Sequence, residues 1–205
     1  LGALSKAAGI TTVTLGNATN TVNASAHTTT ALTITGGTGA DTIQGGTGAD
    51  ILSGGNGNDV YKFNATGALN GNDSIVLVVA DDKLDFSNMG SFTVDATQIA
   101  AAGVTDVVID NKIVYLDDAA GIAAVDSIGE IAALIEGNGD AMHISSGGKA
   151  IILAGDNGAA GDEVLIYLVD DTVGAVAGTI SADDVVLIGT TSANLDLDTI
   201  TPANF

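Results

Sequence analysis

The sequence predicts a mainly all-β chain: a short right-handed parallel β-roll followed by a β-rich C-terminal domain carrying at least one helix. Three observations predict it. Nine-residue units run without a gap from Gly36 to Lys62 as GGTGADTIQ, GGTGADILS and GGNGNDVYK. Alternating apolar segments such as DSIVLVV, TDVVIDNKIVYLDD, DEVLIYLVDD and ADDVVLIGT recur down the rest of the chain and read as strands. The stretch from Ser127 to Gly137 has helical spacing instead.

Each nonapeptide has glycine at its first, second and fourth positions, aspartate at the sixth and a large apolar residue at the eighth, filled by Ile43, Leu52 and Tyr61. Glycine opens dihedrals closed to other residues, so six residues can turn with their carbonyl oxygens curled inward. The three residues after each aspartate form a short strand with its apolar member inward, and two units make one coil. Coils then stack at about the 4.8 Å strand spacing. Carbonyls plus the carboxylates of Asp41, Asp50 and Asp59 are the hard oxygen ligands that calcium takes. A flexible Gly/Asp linker would not hold apolar residues in a strict nine-residue register.

This block resembles the RTX (repeats-in-toxin) family of calcium-dependent secreted proteins. The resemblance implies that each ion lies between one turn and the turn two units later, which pairs Asp41 with Asp59. Asp50 then needs a partner beyond Lys62, and ALNGNDSIV, from Ala68 to Val76, offers Asp73 with Ile75 at the apolar position. In that unit Ala68 and Leu69 replace the first two glycines, and Phe63–Gly67 is an insertion. The implied ligand set is completed by turn residues Gly36, Thr38, Gly45, Thr47, Gly55 and Gly57. Upstream, LGNATNTVN from Leu15 to Asn23 puts Asn20 in the aspartate place, and is expected to mark a coil that no longer holds calcium.

Charge supports the same reading. The chain has 25 acidic residues against five basic ones, all lysine, for a net charge of -20. No aspartate or glutamate precedes Asp41. Carboxylate repulsion should keep the chain loose where calcium is scarce, and binding to the folded form alone should stabilise it where calcium is abundant. So acidic a surface excludes nucleic-acid partners, and the lack of cysteine excludes a disulfide scaffold. No apolar run is long enough for a membrane helix. The leucine start is expected to mark a fragment or a processed product.

The expected organisation is an upstream strand segment continuing the roll over 1–35, the calcium-binding roll over 36–76, and a β-rich domain over 77–205 including a secretion signal. Ser127 and Glu130 form a capping box, Ile128, Ile131, Leu134 and Ile135 one apolar stripe, and Gly137 the stop. Asn111 and the DNGAAGD segment at Asp156 read as hairpin connections. Asp pairs beginning at Asp81, Asp117, Asp170 and Asp183 read as solvated strand ends. His27 reads as a loop residue and His143 as part of a turn between strands. The last segment, TSANLDLDTITPANF, is similar to the acidic-hydrophobic tails of RTX secretion signals.

No HExxH or GxSxG motif occurs, and two histidines without cysteine leave no candidate base, so no enzyme is expected. The functional expectation is a calcium-binding structural module of a secreted bacterial surface protein, S-layer-like or adhesin. It would leave by type I secretion, assemble with copies of itself into a lattice or filament, and contact cell-surface polysaccharide. The alternative is the export and folding module of a type I secreted hydrolase or toxin with its catalytic domain upstream.

Overall fold

A computed structural model of the chain describes residues 9–28, 30–78, 80–98, 107–117, 127–136, 142–155, 163–172, 180–191 and 200–205. The chain divides into two units, the first comprising 1–90, 188–192 and 200–205, and the second 91–187 and 193–199.

The first unit is a parallel β-roll. Strands β1 (Thr12–Thr14), β3 (Thr33–Thr35), β5 (Ile51–Ser53) and β7 (Asp73–Val76) pair in parallel on one side, and Gly189–Thr191 of β15 (Val185–Thr191) extends that side beyond β7. Strands β2 (Thr21–Asn23), β4 (Thr42–Gln44), β6 (Val60–Lys62) and β8 (Lys83–Asp85) pair on the other. The chain alternates between sides, so each strand pairs with the one two units away. The register stacks Val13, Ile34, Leu52 and Ile75 in one apolar column, and Val22, Ile43, Tyr61 and Leu84 in the other. All but Val13 are buried, each full burial contributing about 1.5–3 kcal/mol. One inward side chain per strand therefore builds the core.

The end of the roll is closed by aromatic packing and one side-chain amide. Phe63 stacks on Phe86 at 4.6 Å between ring centres, and Phe86 on Phe205 at 6.1 Å. Elsewhere in the roll, the carbonyl of the aspartate-position residue accepts a main-chain N–H from the next coil, as Asp59 does from Lys83 at 2.8 Å. The carbonyl of Asp82 instead accepts Asn204 Nδ2 at 2.9 Å.

In the second unit, β9 (Thr93–Gln98), β11 (Lys112–Asp117) and β13 (Lys149–Gly155) run parallel, and β14 (Leu165–Asp170) is antiparallel to β13. Strands β10 (Val107–Val108) and β12 (Met142–His143) form a separate parallel pair. Asn111 adopts a left-handed turn at φ 55°, but its flanking strands β10 and β11 belong to different sheets, so the expected hairpin there is not formed. The DNGAAGD connection lies outside the described residues. Helix α1 (Ile128–Glu136) starts as its sequence predicts: Glu130 Oε2 accepts from Ser127 N at 3.1 Å and from Ser127 Oγ at 2.7 Å. Its Ile131 and Ile135 enter a core with Val114, Ile152 and Tyr167, while the expected stop, Gly137, lies outside the described residues.

Candidate metal centre

The turns of the roll carry two columns of side chains. In the first, Asn20, Asp41, Asp59 and Asp82 stand one coil apart. The main-chain N–H of Asn20 donates to Asp41 Oδ1 at 2.8 Å, that of Asp41 to Asp59 Oδ1 at 2.7 Å, and that of Asp59 to Asp82 Oδ1 at 3.0 Å. In the second, Leu32 N donates to Asp50 Oδ1 at 2.7 Å and Asp50 N to Asp73 Oδ1 at 2.9 Å. The structure therefore brings Asp41 to Asp59 and Asp50 to Asp73, and it places Asp82 below Asp59.

Asp41, Asp50 and Asp82 each direct the first oxygen along the column and the second into their own turn. Asp41 Oδ2 accepts from Gly37 N at 3.3 Å, Asp50 Oδ2 from Gly46 N at 2.6 Å, and Asp82 Oδ2 from Val78 N at 2.8 Å. Asp59 departs from the pattern. Its residue is 1 % exposed, and Oδ2 is buried with no hydrogen-bond partner among the described residues. Gly55 (φ 98°) and Gly57 (φ 119°) have left-handed backbone in this turn, and Gly55 N–H makes no bond to the carboxylate. A Cβ on Gly54 would overlap Asp59 Oδ2, so only glycine leaves room for the oxygen there.

The remaining implied residues line the same turns. Gly36 N donates to Ser53 O at 2.7 Å, Thr47 N to His27 O at 3.1 Å, and Thr38 Oγ1 to Asn17 O at 3.4 Å. Gly45 is buried against Asp50, where an added Cβ would crowd that carboxylate. His27, read from sequence as a loop residue, is fully buried at the head of the second column.

The insertion before Asp73 is looped out without disturbing the register. Asn64 N donates to Asn70 Oδ1 at 2.6 Å, and Asn70 Nδ2 returns to Asn64 O at 3.3 Å and Thr66 O at 2.7 Å. Asn64 Nδ2 bonds Gly45 O at 3.2 Å and Leu69 O at 2.9 Å. Two asparagines thus fold the extra residues back so that β7 meets β5 in register.

Burial makes these carboxyls reluctant to ionise. Asp73 is pushed up to about 8, by burial first and by the charge of Asp50 second, against the lowering N–H of Asp50. Asp50, Asp59 and Asp82 are raised for the same leading reason; at Asp50 the N–H groups of Leu32 and Gly46 and the charge of His27 oppose it. Buried carboxylates in like-charged columns call for a counter-charge. Among the described residues no three His, Cys, Asp or Glu side chains gather as a metal-binding group, so a cation here would draw on turn carbonyls as well. Calcium accepts such a mixed oxygen set. The partnerless oxygen of Asp59 and the cradle opened by Gly54 fit it.

A family model for the RTX calcium-binding nonapeptide repeat, in four copies, matches residues 33–61. This is an RTX calcium-binding repeat block. Its cofactor is calcium, and proteins with such repeats are typically secreted. Searches of curated proteins and of solved structures each returned no match. The RTX match ends before Asp82, whose turn has no glycine, yet Asp82 and Leu84 stand nine residues after Asp73 and Ile75 and keep the aspartate-to-apolar spacing. That spacing is the signal by which Asp82 is found.

The solvated reading of the Asp pairs holds for Asp81 and Asp183, which are exposed, and fails for Asp82, Asp170, Asp171 and Asp184, which are buried. Asp170 pairs with Lys149 Nζ at 2.8 Å, and Asp171 Oδ2 accepts Gly147 N at 2.6 Å. Asp184 Oδ2 caps a short 3-10 turn, accepting from Ser181 N and Oγ at 2.8 Å each. Among the described residues no helix is long and apolar enough to cross a membrane.

Proposed function

We propose that this chain is the calcium-dependent structural module of a secreted bacterial surface protein, S-layer-like or adhesin, which folds and assembles with copies of itself outside the cell. Asp41 with Asp59, and Asp50 with Asp73, supply the carboxylates, and Gly36, Thr38, Gly45, Thr47, Gly55 and Gly57 contribute turn oxygens. The observation that carries the calcium part is Asp59 Oδ2, a buried carboxylate oxygen with no donor among the described residues, in a glycine turn with two left-handed glycines. The net charge of -20 supports a fold that needs cations to close. The same acidity suits calcium bridges between copies, and type I secretion of a loose chain followed by folding in millimolar calcium suits this design.

Electron microscopy of the purified chain with and without millimolar calcium tests assembly, with circular dichroism of the same samples reporting folding. Ordered sheets or filaments only with calcium are expected. Folded monomers at every calcium concentration would overturn assembly, and a fold indifferent to calcium would overturn the whole reading.

A further inference from the structure

The head of the first column is built differently from the rest of it. Asn20 Nδ2 faces three oxygens: Gly16 O at 3.0 Å, Ala18 O, and Asp41 Oδ1 at 2.9 Å. Two are main-chain carbonyls of its own turn, and the third is a carboxylate oxygen of the next coil. This is the class of oxygen set a calcium ion would gather between two turns. A carboxamide nitrogen carries only two hydrogens, so three acceptors converge on a donor that serves them as a small positive centre would. The amide orientation is set by this network, because the opposite orientation would turn Asn20 Oδ1 towards three other oxygens.

We propose that the Asn20 side-chain amide is a built-in substitute for a cation, so that the first coil closes its turn without metal and aspartate at this position would recruit one ion more. The inference rests on the calcium reading of the columns. It gives the departure from the repeat motif at Leu15–Asn23 a positive role: a permanently closed first rung on which the calcium-dependent turns stack. An aspartate here would set carboxylate oxygen against Gly16 O, Ala18 O and Asp41 Oδ1, an arrangement that a cation relieves, or at low pH a proton.

The test is the number of calcium ions bound per chain at saturation, by equilibrium dialysis, for the wild type, Asn20→Asp and Asn20→Ala. One additional ion is expected for Asn20→Asp, and an unchanged number for Asn20→Ala with folding shifted to higher calcium. No calcium on the wild type would overturn the calcium reading itself. A wild type that binds calcium, with no additional ion in folded Asn20→Asp or one fewer in Asn20→Ala, would overturn the substitute alone. A measurement needing no variant stands beside it: hydrogen exchange of the Asn20 side-chain amide by NMR in the calcium-saturated wild type. Slow exchange is expected, and exchange as fast as that of exposed Asn17 or Asn56 would overturn the proposal.

Discussion

The main-chain N–H of Asp41 points at the carboxylate of Asp59, 18 residues on, at 2.7 Å. One side chain therefore does two things: it fixes the stacking of adjacent coils and holds its other oxygen buried in its own turn. Asp59→Asn keeps the acceptor along the column and removes the charge. The calcium midpoint for folding, followed by circular dichroism, should rise roughly tenfold, equivalent to about 1.4 kcal/mol. Asp183→Asn, at an exposed position, should leave it unchanged. Equal shifts in the two variants would remove Asp59 from the site.

Proton and calcium should act as alternatives. Burial raises the Asp73 carboxyl from 3.8 to about 8, and Asp50, Asp59 and Asp82 move the same way. A group with a raised folded-state pKa binds more protons folded than unfolded, so its contribution to stability falls as pH rises through that window. Urea denaturation in calcium-free buffer should thus show a more stable chain at pH 5 than at pH 8. Calcium affinity should move oppositely, rising with pH as the competing protons leave. A calcium-free stability that is flat or rising over this range would contradict the burial of these carboxyls.

Tyr61 is the polar exception in the apolar columns. Its hydroxyl accepts from Gly54 N at 2.8 Å and donates to Val76 O at 2.5 Å, joining β6 to the opposite side of the roll. Burial raises its pKa far above the usual phenol range, so it stays neutral. Tyr61→Phe should cost about 1–3 kcal/mol by stranding the buried Gly54 N–H and the partly buried Val76 carbonyl. Calorimetry in saturating calcium measures it, and an unchanged unfolding temperature would deny the bridge.

Two glycines should respond in opposite directions to alanine. At Gly54 the new Cβ overlaps the Asp59 carboxylate, so Gly54→Ala should cost about 1–3 kcal/mol through overpacking and raise the calcium midpoint. At Gly129, in the first turn of α1, the Cβ would meet open space, and alanine should add about 0.4–1 kcal/mol by restricting the unfolded chain. Comparing denaturation curves of the two variants checks both signs.

The nine-residue recurrence of Ile43, Leu52 and Tyr61 made the roll legible, because one inward residue per strand suffices to specify it. Asp73 was legible through its own glycine and Ile75, and α1 through Ser127 and Glu130. Asp82 was hidden because Leu77, Val78 and Ala80 occupy places where the motif has glycine, and its neighbour Asp81 made it look like a surface pair. His27 lies in a loop, as its sequence reads, but its burial was hidden because no local pattern signals burial between stacked turns. The parallel order of β9, β11 and β13 was equally silent, since those pairings are set by packing between segments far apart in the chain.

The asparagine clasp between Asn64 and Asn70 separates the length of the chain from the period of the roll. Coils above and below it keep their spacing whatever the loop contains, provided the two amides close its neck. The loop between Asn64 and Asn70 is thus a natural port for grafting foreign peptides, where added sequence would be displayed beside the carboxylate columns without shifting a single rung.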